Sequence, residues 1–392
     1  MSVAIEDSVA LIRDLVAFPT VSRDPNRDLL HYVEAFLARH GVSSEILWNE
    51  ERTKGNLWAT IGPADRPGVI LSGHSDVVPV DGQDWSSDPF GLHEQDGCLY
   101  GRGTCDMKGF VGIALSLVPD LVRRDLKCPV HLAISYDEEL GCSGVWGMAR
   151  RFASLPARPA LCIVGEPTGM QMITGHKGGS FHRITVEGLA AHSSLAPHGV
   201  NAIEYAAELI RHITEISAEL AASSQRDDDY DVPYSTMSVT TIQGGSAFNI
   251  IPGSCTFEID VRALPELDTA AVIRRIEEHA RNALLPRMRK VSSEADIRIE
   301  TSVEYPGFAL PADHPSATFV NRHLMRNDYA KVAYGTEAGV FSDCGIVSVV
   351  CGPGSIEQAH KPDEYLAVSE IEKCLAFLKR LTATLEQEGL PW

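Results

Sequence analysis

Six residues in the first half of this 392-residue chain have the types and the placement to do chemistry: His74, Asp76, Asp106, Glu138, Glu139 and Glu166. Each is expected at the end of a strand or in the turn after it. His74 and Asp76 follow the apolar run Val69-Ile70-Leu71, and Glu138 and Glu139 follow the run at 130–136. Glu166 follows the run at 160–164, and Asp106 closes the Gly-rich turn Tyr100-Gly101-Arg102-Gly103-Thr104-Cys105-Asp106. In open α/β sheets the carboxyl ends of the strands border the ligand crevice. One such residue alone is more often a cap or a surface group. Together, five carboxylic acids and one imidazole at one rim would repel one another unless a cation neutralised them. Mixed imidazole and carboxylate donors suit zinc or a similar divalent ion. Two ions sharing a bridging carboxylate would use a set this large. The nine cysteines are scattered and form no C-x-x-C pair, which argues against a structural four-cysteine zinc site.

The elements that must position these residues are α/β. Helical apolar spacing over 7–18 ends at Pro19, and a second helix is expected over 27–40, stopped by Gly41. Strands are expected at 44–48, 56–61, 69–72, 130–136 and 160–164, with helices at 108–122 and 143–153 between them. A late strand at 347–351 leads through a Gly-Pro-Gly-Ser loop to His360, and a helix over 369–387 closes the chain. The middle reads differently. Strands at 181–186, 236–242, 255–261 and 295–301 and helices at 202–220 and 269–285 spell β-α-β-β-α-β, the ferredoxin-like unit. The expected fold is therefore a three-layer α/β catalytic domain with a mixed sheet, made of 1–178 and 303–392. It is interrupted by a ferredoxin-like domain at 179–302.

Length and composition agree with two globular domains: 44% of residues are hydrophobic and 22% charged. Asp plus Glu outnumber Lys plus Arg by 53 to 34, a formal charge of −19. That surplus argues against a nucleic-acid backbone or an anionic membrane as the main partner. No run approaches the ~18 apolar residues of a membrane span. The N-terminal segment is acidic and periodic rather than basic and apolar, so no signal peptide is expected. Unpaired, scattered cysteines fit a reducing, cytoplasmic setting.

With these residues in place, the chain resembles the two-zinc aminoacylase and carboxypeptidase G family of metallohydrolases. The matching segments are Ser72-Gly73-His74-Ser75-Asp76-Val77-Val78-Pro79, Asp106-Met107-Lys108-Gly109, Asp137-Glu138-Glu139, Gly165-Glu166-Pro167-Thr168 and Gln358-Ala359-His360-Lys361-Pro362-Asp363-Glu364. They occur in the family's order, span essentially the whole chain, and show no departure at a metal or base position. The resemblance implies that His74 and Glu166 hold one zinc, Glu139 and His360 the other, and that Asp106 bridges both. Cobalt is an acceptable substitute. It also implies a cis bond between Asp106 and Met107, Glu138 as general base, and the Asp76 carboxylate as the partner that orients His74. The Glu138-Glu139 pair read by itself would be an acidic N-cap.

In the inserted domain the resemblance picks out His192 as a donor to the developing oxyanion, with Asn249 and Arg262 as a clamp for the substrate's α-carboxylate. The plain alternatives are a loop histidine and an ordinary strand-end ion pair. Tyr334-Gly335-Thr336-Glu337-Ala338-Gly339 and Cys351-Gly352-Pro353-Gly354-Ser355 narrow the likeness to members that remove the acetyl group from Nα-acetylornithine. Glu337 is then either a carboxylate for the substrate's side-chain ammonium or a helix cap. Gly354 and Ser355 are expected to offer donors near the substrate carboxylate. The implied partner is a small N-acyl amino acid, and the implied assembly is a homodimer through the inserted domain. A desuccinylase, another deacylase or a dipeptidase of the same family is the nearest alternative. A scaffold protein would show a broken base or ligand. A thiol enzyme using Cys105 has no His–Cys motif to support it.

Overall fold

The strand Val69–His74 is buried along its whole length, which is why its sequence reads as a continuous apolar run rather than an alternation. It lies parallel to Val130–Ser135 on one side and Leu161–Pro167 on the other. Ser348–Gly352 continues the parallel set beside Leu161–Pro167. Antiparallel strands flank this centre: Gly55–Ile61 and Ser44–Trp48 at one side, Met172–His176 and Phe308–Ala309 at the other. The result is a large mixed sheet in an α/β fold. This computed structural model describes residues 3–392.

The chain divides into two units. One comprises Met1–His176, Phe308–Lys331 and Gly335–Trp392, the other Lys177–Gly307 and Val332–Tyr334. In the first, helices Val3–Val16, Lys108–Ser116 and Val368–Gln387 pack on one another. Phe110 of the second helix lies so close to the sheet that a Cβ on Gly165 would fall 2.0 Å from its ring. Glycine beside Glu166 is thus a packing requirement. The second unit has strands in the order Thr236–Gly244, Ser254–Ala263, Gly178–Glu187, Asp296–Tyr305, all antiparallel. Helices Ala202–Ala222 and Thr269–His279 bury Leu209, Ile213 and Ile276 with Ile184, Val186 and Phe257 of the sheet. Asn201 and Asp268 cap the helices by accepting backbone N–H groups.

Several local expectations change. The helix expected at 108–122 ends at Ser116 and resumes only as Val118–Leu121, with Pro119 in its first turn, where a missing N–H costs least. The helix expected at 143–153 runs Trp146–Ser154, and Gly141 and Cys142 take left-handed conformations in the turn that precedes it. Helix Pro315–Leu324 and strand Met172–His176 were not anticipated. All nine cysteines are free. Among the described residues no helix is long and apolar enough to cross a membrane.

One buried titratable group of this core makes a stability prediction. His131 is 3% exposed, and burial holds its pKa down to about 4. Its unfolded value is near 6.5, so between those values the unfolded chain binds more protons and stability rises with pH. The contribution is complete above pH ~6.5 and is lost on acidification, by about 2 kcal/mol at pH 5. Urea midpoints at pH 7.5 and 5 are expected to fall further apart for the wild type than for His131→Gln. Equal spacing would contradict this assignment.

Candidate metal centre

His74 closes its buried strand and is itself 1% exposed. Its Nδ1 donates to the backbone carbonyl of Asp76 at 2.9 Å. That leaves Nε2 facing Asp106 Oδ1 at 3.1 Å and Glu166 Oε1 at 3.6 Å. The expected orienting group, the Asp76 carboxylate, is farther from Nδ1, at 3.6 Å. It instead accepts from Ser22 Oγ at 2.7 Å and from the backbone N–H groups of Glu138 and Glu139 at 3.2 and 3.3 Å. The Asp76 backbone carbonyl thus takes the hydrogen bond of the ring, while the Asp76 carboxylate acts on His74 through its charge and anchors the neighbouring turn.

That turn explains how Glu138 and Glu139 serve one place. The strand Val130–Ser135 has ended, and Asp137 takes φ +54°, so the alternation of side chains is broken. Lys54 Nζ holds the Asp137 carboxylate at 2.7 Å. Glu139 Oε2 then meets His360 Nε2 at 3.1 Å, and His360 Nε2 lies 3.2 Å from Asp106 Oδ2. Asp106 therefore turns one oxygen to each imidazole, and each imidazole faces a second carboxylate. The Asp106–Met107 peptide bond is cis. Glu138 Oε1 accepts from the thiol of Cys142 at 3.5 Å.

The electrostatics of this cluster suit cations. Burial, reinforced by neighbouring carboxylates, pushes Glu138 and Glu166 well above the usual carboxylate range and raises Glu139. Asp106 is lowered despite its burial, by hydrogen bonds from His360 and His74. The same bonds to Asp106 and Glu139 push His360 up to about 10. Glu139 Oε1 and Glu166 Oε1 are buried with no hydrogen-bond partner. His74, Asp106 and Glu139 each offer a ligand atom within 4.8 Å of the others, as do His74, Glu138 and Glu166. Imidazole nitrogens, carboxylate oxygens and two orphaned buried acceptors are the donor set that divalent ions such as zinc take.

Other expected residues lie in different circumstances. Glu337 is fully enclosed at the start of helix Glu337–Asp343, near Ser72 Oγ at 3.3 Å, and burial pushes it up to about 7. Thr336, rather than Glu337, caps that helix, and the Glu337 carboxylate lies close enough to Glu138 and His74 to act on both electrostatically. The Gly354 N–H donates to Glu370 Oε2 at 3.2 Å, so it is already engaged rather than open to a carboxylate. Ser355 is exposed, and its Oγ accepts from the Glu357 N–H. In the second unit, His192 and Asn249 are neighbours, because Ala191–His192 pairs with Ile250–Ile251 and Ser193 N donates to the Asn249 carbonyl at 2.9 Å. Arg262 pairs with Asp260 at 2.9 Å, donates to Tyr305 Oη at 2.7 Å and sits over the Phe181 ring. The ordinary strand-end ion pair is present there.

The model of peptidase family M20/M25/M40 matches residues 70–384. An acetylornithine deacetylase from Proteus mirabilis is 35% identical over 381 residues, 95% of each chain. Another from Edwardsiella ictaluri is 34% identical over 390 residues, 97% of this chain and 98% of that one. This chain belongs to the M20/M25/M40 peptidase family. The fold of this M20 member matches that of a metallo-carboxypeptidase of the family from Sulfolobus solfataricus, with a TM-score of 0.78 at 17% identity over 97% of this chain and 99% of that one. The M20 member is a metal-dependent hydrolase.

Two groups at the M20 centre were not singled out from sequence. Lys54 holds the turn that aims the two glutamates. Glu364, inside the His360 motif, is fully buried and bonded to Arg102. Its place four residues after His360 was the available signal.

Proposed function

We propose that the chain hydrolyses the Nα-acetyl amide of N-acetyl-L-ornithine, a step of arginine biosynthesis, to ornithine and acetate in the cytoplasm, using two divalent ions, zinc or cobalt. The observation that carries the two-ion reading is Asp106, whose oxygens Oδ1 and Oδ2 stand 3.1 and 3.2 Å from two different imidazoles. The substrate reading is supported by the deacetylases that are about 35% identical over nearly the full chain. His74 and Glu166 would hold one ion, Glu139 and His360 the other, and Asp106 both. When bound, the ions lower the pKa of a water toward neutrality and polarise the acetyl carbonyl.

The chain's own groups do the rest. Glu138, which the Asp76 carboxylate anchors through its backbone N–H, takes the proton from the attacking water on a carboxylate oxygen. It then delivers that proton to the α-amine nitrogen as the amide C–N bond breaks. His192 Nδ1 accepts the Ser194 N–H at 3.2 Å, which puts the ring proton of the neutral tautomer on Nε2. That N–H is the donor offered to the developing oxyanion. Arg262 and Asn249 clamp the α-carboxylate, with Asp260 and Tyr305 holding the guanidinium in place. Arg262→Ala is expected to raise KM for N-acetylornithine roughly 10- to 100-fold, the worth of a charge-assisted pair, with a smaller change in kcat. An unchanged KM would remove Arg262 from the clamp.

Assembly as a homodimer through the second unit is part of this reading. The outer strand Thr236–Gly244 has one neighbour, Ile242 is 56% exposed, and Phe248 is 100% exposed. An open strand edge with bare apolar side chains beside it is a pairing surface. Sedimentation is expected to give a dimer mass at micromolar concentration, and a monomer would contradict it.

The substrate is tested by comparing turnover of N-acetylornithine, N-acetylmethionine, N-acetylcitrulline and succinyl-diaminopimelate by the zinc- or cobalt-loaded protein. A clear preference for the ornithine derivative is expected. Equal or greater turnover of another member of the set would overturn the substrate while leaving the hydrolase in place.

A further inference from the structure

We propose that Glu364, Arg102 and Gln83 form a positioning strut that sets the separation of Asp106 and His360, and that its Gln83 end governs one of the two ions selectively. This rests on the two-ion reading above. Glu364 is buried at 0% exposure, and its Oε1 accepts three backbone N–H groups, from Gly103 at 3.0 Å, Cys105 at 2.8 Å and Asp106 at 3.0 Å. One carboxylate oxygen thus gathers the loop that presents the proposed bridging residue. Its other oxygen accepts from Arg102 Nη1 at 2.7 Å. Arg102 passes the connection on, donating from Nη2 to Gln83 Oε1 at 2.6 Å. Gln83 Nε2 donates in turn to the His360 carbonyl at 2.9 Å. His360 has φ +65°, a left-handed conformation that a non-glycine residue keeps only when its surroundings hold it.

The strut therefore runs from the Asp106 backbone to the His360 backbone without touching a ligand atom. His74 lies outside it, since its ring is set by the Asp76 carbonyl. A group that only supports folding would weaken both ion sites or neither. Cutting the strut at Gln83, whose Nε2 reaches only the His360 backbone, weakens the Asp106–Glu139–His360 site alone.

The test is a calorimetric titration of the full-length apo-protein with zinc. The wild type is expected to bind two ions in two resolved steps, and His360→Ala marks the step that belongs to its side. In Gln83→Ala that same step is expected to weaken roughly 10- to 100-fold, while the other stays within about twofold. Glu364→Gln is expected to weaken that step more strongly and the other step as well, because it also loosens the Asp106 loop that both ions share. Gln83 is only half-buried, so its variant carries the test even where Glu364→Gln fails to fold. Two unchanged steps in Gln83→Ala, or two steps weakened alike, would overturn the strut. A wild type that takes up fewer than two ions would overturn the two-ion reading itself, and the strut with it.

Discussion

Glu138→Gln is expected to lower kcat on N-acetylornithine by roughly 10³-fold, within the range of a lost general acid–base, while the protein still binds two ions. The substitution keeps the shape of the side chain and removes its capacity to take a proton. The turn that carries it stays anchored, because the Asp76 carboxylate holds the backbone N–H groups of residues 138 and 139 rather than the side chain. Lys54 still holds Asp137. The expected signature is therefore a loss in kcat with KM and zinc stoichiometry little changed. Turnover near that of the wild type would remove Glu138 from the mechanism. Loss of an ion would make it a ligand, a role that its grouping with His74 and Glu166 leaves geometrically open.

The second large effect is expected at Asp106. Asp106→Ala removes the one carboxylate shared by both imidazoles, so each proposed ion loses a ligand at once. Zinc content is expected to fall from two ions to at most one. The rate is expected to fall by several kcal/mol of transition-state stabilisation, roughly 10³- to 10⁴-fold. The loop itself should survive, since Glu364 holds it through backbone N–H groups that alanine retains. Asp106→Asn keeps one neutral carbonyl oxygen as a weak donor to a metal and is expected to fall between the wild type and Asp106→Ala. Two zinc ions bound at wild-type affinity in Asp106→Ala, measured by metal analysis after dialysis, would contradict the bridging role.

The α/β class and the central strands were legible because buried parallel strands write themselves as apolar runs with polar residues at their ends. His74, Glu138, Glu139 and Glu166 could be placed at one rim by that rule alone. What the Asp76 carboxylate does was not legible. The backbone N–H groups that donate to it lie 62 and 63 residues away, and no local pattern reports such a bond. The burial of Glu337 was not legible either. Its partners Ser72 and Ser135 lie on strands that only the folded sheet brings beside it. Gly354 was read as an open donor for the same reason, since Glu370 is sixteen residues on in another element. Helix 108–122 was overextended because apolar spacing continues past Leu117 while Pro119 breaks the hydrogen-bond ladder.

The −19 formal charge also takes on a location. Asp106, Glu139 and Glu166 form a buried cluster whose only close basic partners are His74 and His360 among the described residues. Two divalent ions would neutralise that cluster directly.

The most direct test of the two-ion centre is anomalous diffraction at the zinc absorption edge from crystals of the zinc-loaded protein. The expected result is two peaks, one on each side of Asp106, the first against His74 and Glu166 and the second against Glu139 and His360. A single peak, or peaks that leave Asp106 in contact with only one ion, would contradict the account.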